Sequence, residues 1–194
     1  MKRTFEKELP EGYREVFAVD AKDKKTSVIL NLVGLVIGLV LIGALFLSMG
    51  FPWMAIEKLI PFNLLLIASI LVYMVCHELV HGLAYKLTTG QKLKFGLTSS
   101  VAYCGVPDIY VYRSTALISL LAPFTVFGVL FIIGTAVFWG KPLGFGSGVL
   151  LAAHFGGCVG DIYDTLLYLF KFRDPDTLMR DTGPKQSFYL PKEK

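Results

Sequence analysis

The 194-residue sequence predicts an all-α membrane protein: four transmembrane helices, with a short β-like segment, cytoplasmic or re-entrant, between the second and third. Three observations lead there. Apolar residues make up 54% of the chain, well above the usual share for a soluble domain. They are gathered into four blocks, each long enough for the ~20 residues that a helix needs to cross the hydrocarbon core. The basic residues sit between those blocks and at the two ends, as they do in membrane proteins.

Residues 1–27 are polar and of mixed charge. They lack the short basic start and immediate apolar core of a signal peptide, so they are expected to be a cytoplasmic segment. The first apolar block runs from about Val28 to Met49, carries no charge, and lines up Gly34, Gly38 and Gly43 as a small-residue face suited to close helix packing. The second runs from about Pro61 to Thr88 and ends in HELVH followed by Gly82. The third runs from about Ser114 to Trp139 with Pro123 inside it, and the fourth from Phe145 to Phe172 with His154, Asp161 and Asp164. Between the second and third, QKLKFGLTSSVAYCGVPDIYVYR alternates and is rich in β-branched and aromatic residues, with turn signals near Gly96, Gly105 and Pro107. It reads as short strands at the membrane surface or as a re-entrant hairpin. Residues 173–194 are polar and expected to lie on the membrane surface or beneath the helices. The predicted organisation is thus an N-terminal segment (1–27), a four-helix metallopeptidase-like domain (28–172) and a cytoplasmic tail (173–194).

Lys and Arg number seven in residues 1–27, one between the first two blocks, four from Lys86 to Arg113, one between the last two blocks and six from Lys171 to the C-terminus. The positive-inside rule then places both termini and the 86–113 loop in the cytoplasm, and the setting expected is the plasma membrane of a bacterium. No basic run with interleaved aromatics suggests nucleic-acid binding. The three cysteines form no disulfide framework: Cys76 and Cys158 read as small packing residues, and Cys104 as a loop cysteine that ligates nothing.

HELVH carries the chemistry. His77 and His81 lie four apart, so on a helix both imidazoles leave one face and can take two corners of a tetrahedral zinc site, with Glu78 beside them as general base. An ionisable group at mid-helix costs ~2.5–3.5 kcal/mol on insertion scales, so three within five residues need a reason to be there. A third ligand is required, and depth separates the candidates. His77 and His81 lie ~17 and ~11 Å from the cytoplasmic end of their helix, and Asp161 lies ~16 Å from the same end of the fourth. Asp161 is therefore the expected third ligand. Asp164 is the alternative ligand, or a partner to a ligating histidine; His154 is a candidate partner farther out. Gly156, Gly157 and Gly160 would let the fourth helix approach the second.

HELVHG in an apolar helix, the β-like segment after it, LAPF at 121–124 and HFGGCVGDIYD at 154–164 together resemble the DUF3267 group of zincin peptidases, and more distantly the site-2 protease intramembrane metalloproteases. The resemblance implies zinc held by His77, His81 and Asp161, with Glu78 as base, within the membrane near the cytosolic side. GCVGDIYD departs from the Asn/Asp-Pro-Asp-Gly type of sequence usual around the third ligand of site-2 proteases. The function expected is hydrolysis of a peptide bond in a membrane protein or peptide substrate. The alternative is a divalent-metal transporter or accessory subunit without proteolytic activity, for which Glu78 would have no use.

Overall fold

The computed structural model describes residues 3–51, 56–97 and 102–192. In chain order its elements are β1 (Phe5–Glu6), β2 (Tyr13–Asp20), α1 (Lys24–Met49), α2 (Ile56–Thr89), β3 (Lys94–Leu97), β4 (Ala102–Gly105), β5 (Tyr110–Tyr112), α3 (Arg113–Val137), α4 (Pro142–Gly157), α5 (Val159–Phe170), β6 (Leu178–Asp181) and β7 (Lys185–Pro191). Residues 98–101, in the middle of the expected β-like segment, lie outside the described residues, as do the two at each end.

Three helices, α1, α2 and α3, are long and apolar enough to cross a membrane. Their large aliphatic side chains are exposed, among them Leu32 and Val40 on α1, Leu65 and Val72 on α2, and Val129 and Ile133 on α3. Such surfaces are compatible with a membrane protein, because lipid tolerates what water does not. The fourth apolar block is broken at Cys158 into α4 and α5, so it makes a fourth span only if the bent pair crosses as one.

The chain divides into two compact units. The first is helical and comprises Leu30–His77 and Phe124–Val159. A close contact joins α1 to α4 at two glycines: a Cβ on Gly156 would lie 2.7 Å from the Gly34 carbonyl oxygen, and one on Gly34 would strike the Gly156 carbonyl. Farther along these helices, Phe145 packs edge-on against Phe46 and Phe51, with ring centroids 5.2 and 5.3 Å away. Gly156 thus serves an approach to the first helix rather than the second. A Cβ on Gly157 or Gly160 would meet nothing within 4 Å, so neither is a close-packing residue.

The second unit comprises Met1–Ile29, Glu78–Pro123 and Gly160–Lys194. It holds an antiparallel five-stranded sheet in the order β1-β5-β6-β7-β2, and a separate β3–β4 hairpin. An all-α fold is therefore corrected to a mostly helical one with a small sheet. The segments read as polar ends supply most of that sheet. YREVFAVD alternates, and with a bulge between Glu15 and Phe17 it pairs with the KQSFYLP strand from Tyr13↔Pro191 to Asp20↔Lys185. Inward-facing Leu178, Tyr112 and Tyr189 form the core of one face, and Phe17, Phe172 and Phe188 stack together nearby. The turn between β6 and β7 requires Gly183, which has φ +94° and lies under the ring of Tyr103.

Gly156→Leu should lower stability by about 1–3 kcal/mol, the usual cost of forcing volume into a packed interface. The measurement is the thermal unfolding midpoint in detergent, with Gly157→Leu as the control that should match wild type. A wild-type midpoint for Gly156→Leu would mean that the α1–α4 contact carries no weight.

Candidate metal centre

The residues of HELVH lie within α2, and one donor atom each of His77, Glu78 and His81 lies within 4.8 Å of the others. The helix continues the pattern on either side: Tyr73, His77, His81 and Tyr85 recur every four residues, so a polar stripe runs along a helix that is otherwise aliphatic. All four are buried. Each must therefore satisfy its polar atoms within the protein, and the partners define what the site can do.

His81 belongs to the second unit. Its Nδ1 lies 2.9 Å from the Ser119 carbonyl oxygen on α3. A carbonyl only accepts, so Nδ1 carries the proton and Nε2 the lone pair. The carbonyl is available for a local reason. In a helix the Ser119 oxygen would receive the N–H of residue 123, and that residue is Pro123, which has none. Ser119 also donates its hydroxyl to the His81 carbonyl, at 3.5 Å. On the other side of the ring, Nε2 lies 3.4 Å from Asp161 Oδ1. An imidazole lone pair and a carboxylate oxygen facing each other at that separation are the donor chemistry of a zinc site.

His77 belongs to the helical unit. Its Nδ1 is 3.1 Å from the Tyr73 hydroxyl, which is itself 2.8 Å from Nδ1 of His154 on α4. Nε2 of His154 lies 3.1 Å from the Phe124 carbonyl oxygen, so it carries the proton of that ring and Nδ1 must accept. Tyr73 then donates to His154 and accepts from His77. The neutral chain Phe124 O···H–Nε2, Nδ1···H–O, O···H–Nδ1 leaves the His77 lone pair on Nε2. Both HELVH imidazoles are thereby set in the same tautomer by unrelated partners. Phe124, Phe127, Phe131 and Phe155 surround His154, with ring centroids between 5.5 and 6.3 Å away.

The other sequence candidates separate clearly. Asp161 faces His81 as described. Asp164, one turn on, is buried with Oδ1 unpaired among the described residues. His154 stands one hydroxyl away from His77. The importance of Tyr73, Ser119 and Pro123 was not drawn from the sequence; the spacing of four from Tyr73 to His77 was the available signal for the first. Tyr85 was also missed. Its hydroxyl donates to Asp181 Oδ2 at 2.8 Å, while Asp181 Oδ1 accepts from the Gly183 N–H and the Gln186 amide, which fastens the end of α2 to the sheet. Burial raises the Asp181 carboxyl above its ordinary range, against the pull of those donors.

Cys104 on β4 lies against α2 one residue past His81: a Cβ on Gly82 would be 3.1 Å from its sulfur. Its backbone N–H is a partner of the Glu78 carboxylate. Burial, with the negative charges of Asp181 and Glu78 nearby, pushes the Cys104 thiol up to about 12. At pH 8 roughly one such thiol in ten thousand would be ionised, and only the thiolate reacts. Iodoacetamide at pH 8 should leave Cys104 unmodified in the native protein and label it after denaturation, as read by mass spectrometry. Rapid native labelling would show that the site is open and the thiol acidic.

A family described as "Putative zincin peptidase" (DUF3267) matches residues 70–175. No match was found among the curated proteins or the solved structures. The matched stretch takes in the HELVH part of α2, the β3–β4 hairpin, β5, and α3 through α5. It spans more than half of the sequence and includes His77, Glu78, His81, Ser119, Pro123, His154 and Asp161: the chain belongs to the DUF3267 family, whose description is that of a zinc-dependent peptidase.

Proposed function

We propose that this protein is an intramembrane zinc metallopeptidase. The reading rests first on the two HELVH imidazoles, both held by their Nδ1 protons so that Nε2 carries the lone pair. Two neutral nitrogens and the Asp161 carboxylate fit zinc by donor chemistry, so His77, His81 and Asp161 would hold the ion. Zinc, when bound there, supplies the Lewis acidity that activates water and polarises a peptide carbonyl. The protein's own residues do the rest. Glu78 takes a proton from the attacking water on its carboxylate and delivers it to the leaving amine. Ser119 and Tyr73 keep the two rings from turning. The β3–β4 hairpin, whose Cys104 N–H faces Glu78, offers a strand to which an extended substrate adds, since a helical peptide hides its scissile bond.

The substrate class that suits this arrangement is a membrane protein or membrane-bound peptide, presented in the bilayer close to its cytoplasmic face. The basic N-terminal, 86–113 and tail segments support an orientation with both termini in the cytoplasm of a bacterial cell. The competing reading, a divalent-metal carrier or accessory subunit, would use the same ligands but leave Glu78 idle.

Two measurements bear on this. Glu78→Gln should abolish hydrolysis of a membrane-peptide substrate while metal content stays at the wild-type level; His77→Ala and Asp161→Ala should each lose the metal. Full cleavage by Glu78→Gln would remove it as the base, and metal retained in Asp161→Ala would move the third ligand to Asp164 or His154. Tyr73→Phe breaks the hydrogen-bond chain behind His77 and should weaken zinc binding by about 10–100-fold, the usual effect of losing such a partner. Competition with a chromophoric chelator measures it, and unchanged affinity would show that Tyr73 merely packs.

A further inference from the structure

The helical unit contains a second set of metal donors, which shares His77 alone with the catalytic reading. Donor atoms of His77, His154 and Cys158 lie within 4.8 Å of one another, and all three residues are buried. Cys158 Sγ is 3.4 Å from Nδ1 of His154, and the Tyr73 hydroxyl sits between the two rings, 2.8 Å from His154 Nδ1 and 3.1 Å from His77 Nδ1. With Zn–N near 2.0–2.1 Å and Zn–S near 2.3 Å, the donors of a tetrahedral zinc lie roughly 3.3–3.6 Å apart. Closing this set onto an ion therefore asks for movements of about 1 Å. Two imidazoles and a thiol, with a phenol at the fourth corner, are the chemistry that selects zinc or a similar borderline-soft cation over magnesium or calcium.

We propose that His77, His154 and Cys158 form a second, inhibitory site for zinc-like divalent cations, which competes with the HELVH pair for His77. The competition follows from the imidazole itself. A neutral ring has one lone pair. On the HELVH side His77 presents it on Nε2, with the proton on Nδ1 held by Tyr73. An ion in the inner set takes Nδ1, so the His77 proton moves to Nε2 and that nitrogen ceases to be a donor. The Cys158 thiol proton is released to water as the sulfur binds. Metal in excess of the catalytic ion would thus withdraw His77 and switch the peptidase off. The inhibitory half of the proposal rests on the reading of HELVH as the catalytic metal pair; the existence of the inner site does not.

Cobalt(II) titration of the purified full chain in detergent tests both halves, because a thiolate on cobalt gives a near-ultraviolet charge-transfer band that nitrogen and oxygen ligands do not. In wild type the first equivalent should give no such band. Further cobalt should bring it up while cleavage of a membrane-peptide substrate falls over the same range. Cys158→Ser should lose the band, with Cys76 and Cys104 still present, keep basal cleavage and resist inhibition by excess cobalt or zinc. Cys158→Ala provides the same readout should the serine disturb folding. In His81→Ala, where the HELVH pair is broken, the band should form with the first equivalent. No thiolate band in wild type or His81→Ala at any ratio would overturn the site, whatever the cleavage assay gives. Inhibition unchanged in Cys158→Ser would overturn the switch. A band with no cleavage at all by wild type would support the inner site and count against the peptidase reading instead.

Discussion

The contact between His81 Nδ1 and the Ser119 carbonyl, opened by Pro123, is the interaction on which the rest of the centre depends. Helices among apolar neighbours consume their own backbone groups, so a side chain that needs an acceptor has few places to find one. A proline solves this at one position, because the carbonyl four residues before it loses its helical donor. His81 takes that place. Its ring is then held on one side, and its Nε2 faces Asp161 at 3.4 Å on the other.

His77 meets the same need by another route. It finds no broken helix, but Tyr73, one turn back on its own helix, relays the hydrogen bond to His154 and from there to the Phe124 carbonyl. In this arrangement every donor of that chain has an acceptor, and Cys158 Sγ is a further neighbour of His154 Nδ1 at 3.4 Å. The aromatic rings around His154 keep the chain dry, which strengthens each link and makes an unpaired member costly. The polar stripe of α2 ends at Tyr85, whose bond to Asp181 fastens the helix to the sheet.

The sheet explains how a chain with so little polar sequence builds a surface structure. Its strands are short, from two residues in β1 to eight in β2, and none would be stable alone. Joined in the order β1-β5-β6-β7-β2, they bury Val111, Leu178, Met179 and Phe188 and gather both ends of the sequence. The β3–β4 hairpin stays separate from this sheet and brings Cys104 to Glu78.

Much of this was legible in the residues. The length and apolarity of the first three blocks required helices, and α2 carries His77, Glu78 and His81 on adjoining positions because helical periodicity allows nothing else. Counting residues along two helices, a calculation that needs only the rise per residue, puts Asp161 at the depth of the HELVH pair, and in the structure its Oδ1 lies 3.4 Å from His81 Nε2. Where the sequence misled, the missing information was always the identity of a neighbour. A glycine face announces a close approach without saying to what, and Gly156 met Gly34 of α1. Alternation in YREVFAVD signals a strand, but its partner lies at the far end of the chain. The sequence by itself determined the apolar spans, the HELVH spacing and the presence of a proline in α3. Only the tertiary structure decided which ring faces the carbonyl that the proline leaves without a donor, and that Tyr73 joins His77 to His154, because both depend on packing between elements far apart in sequence.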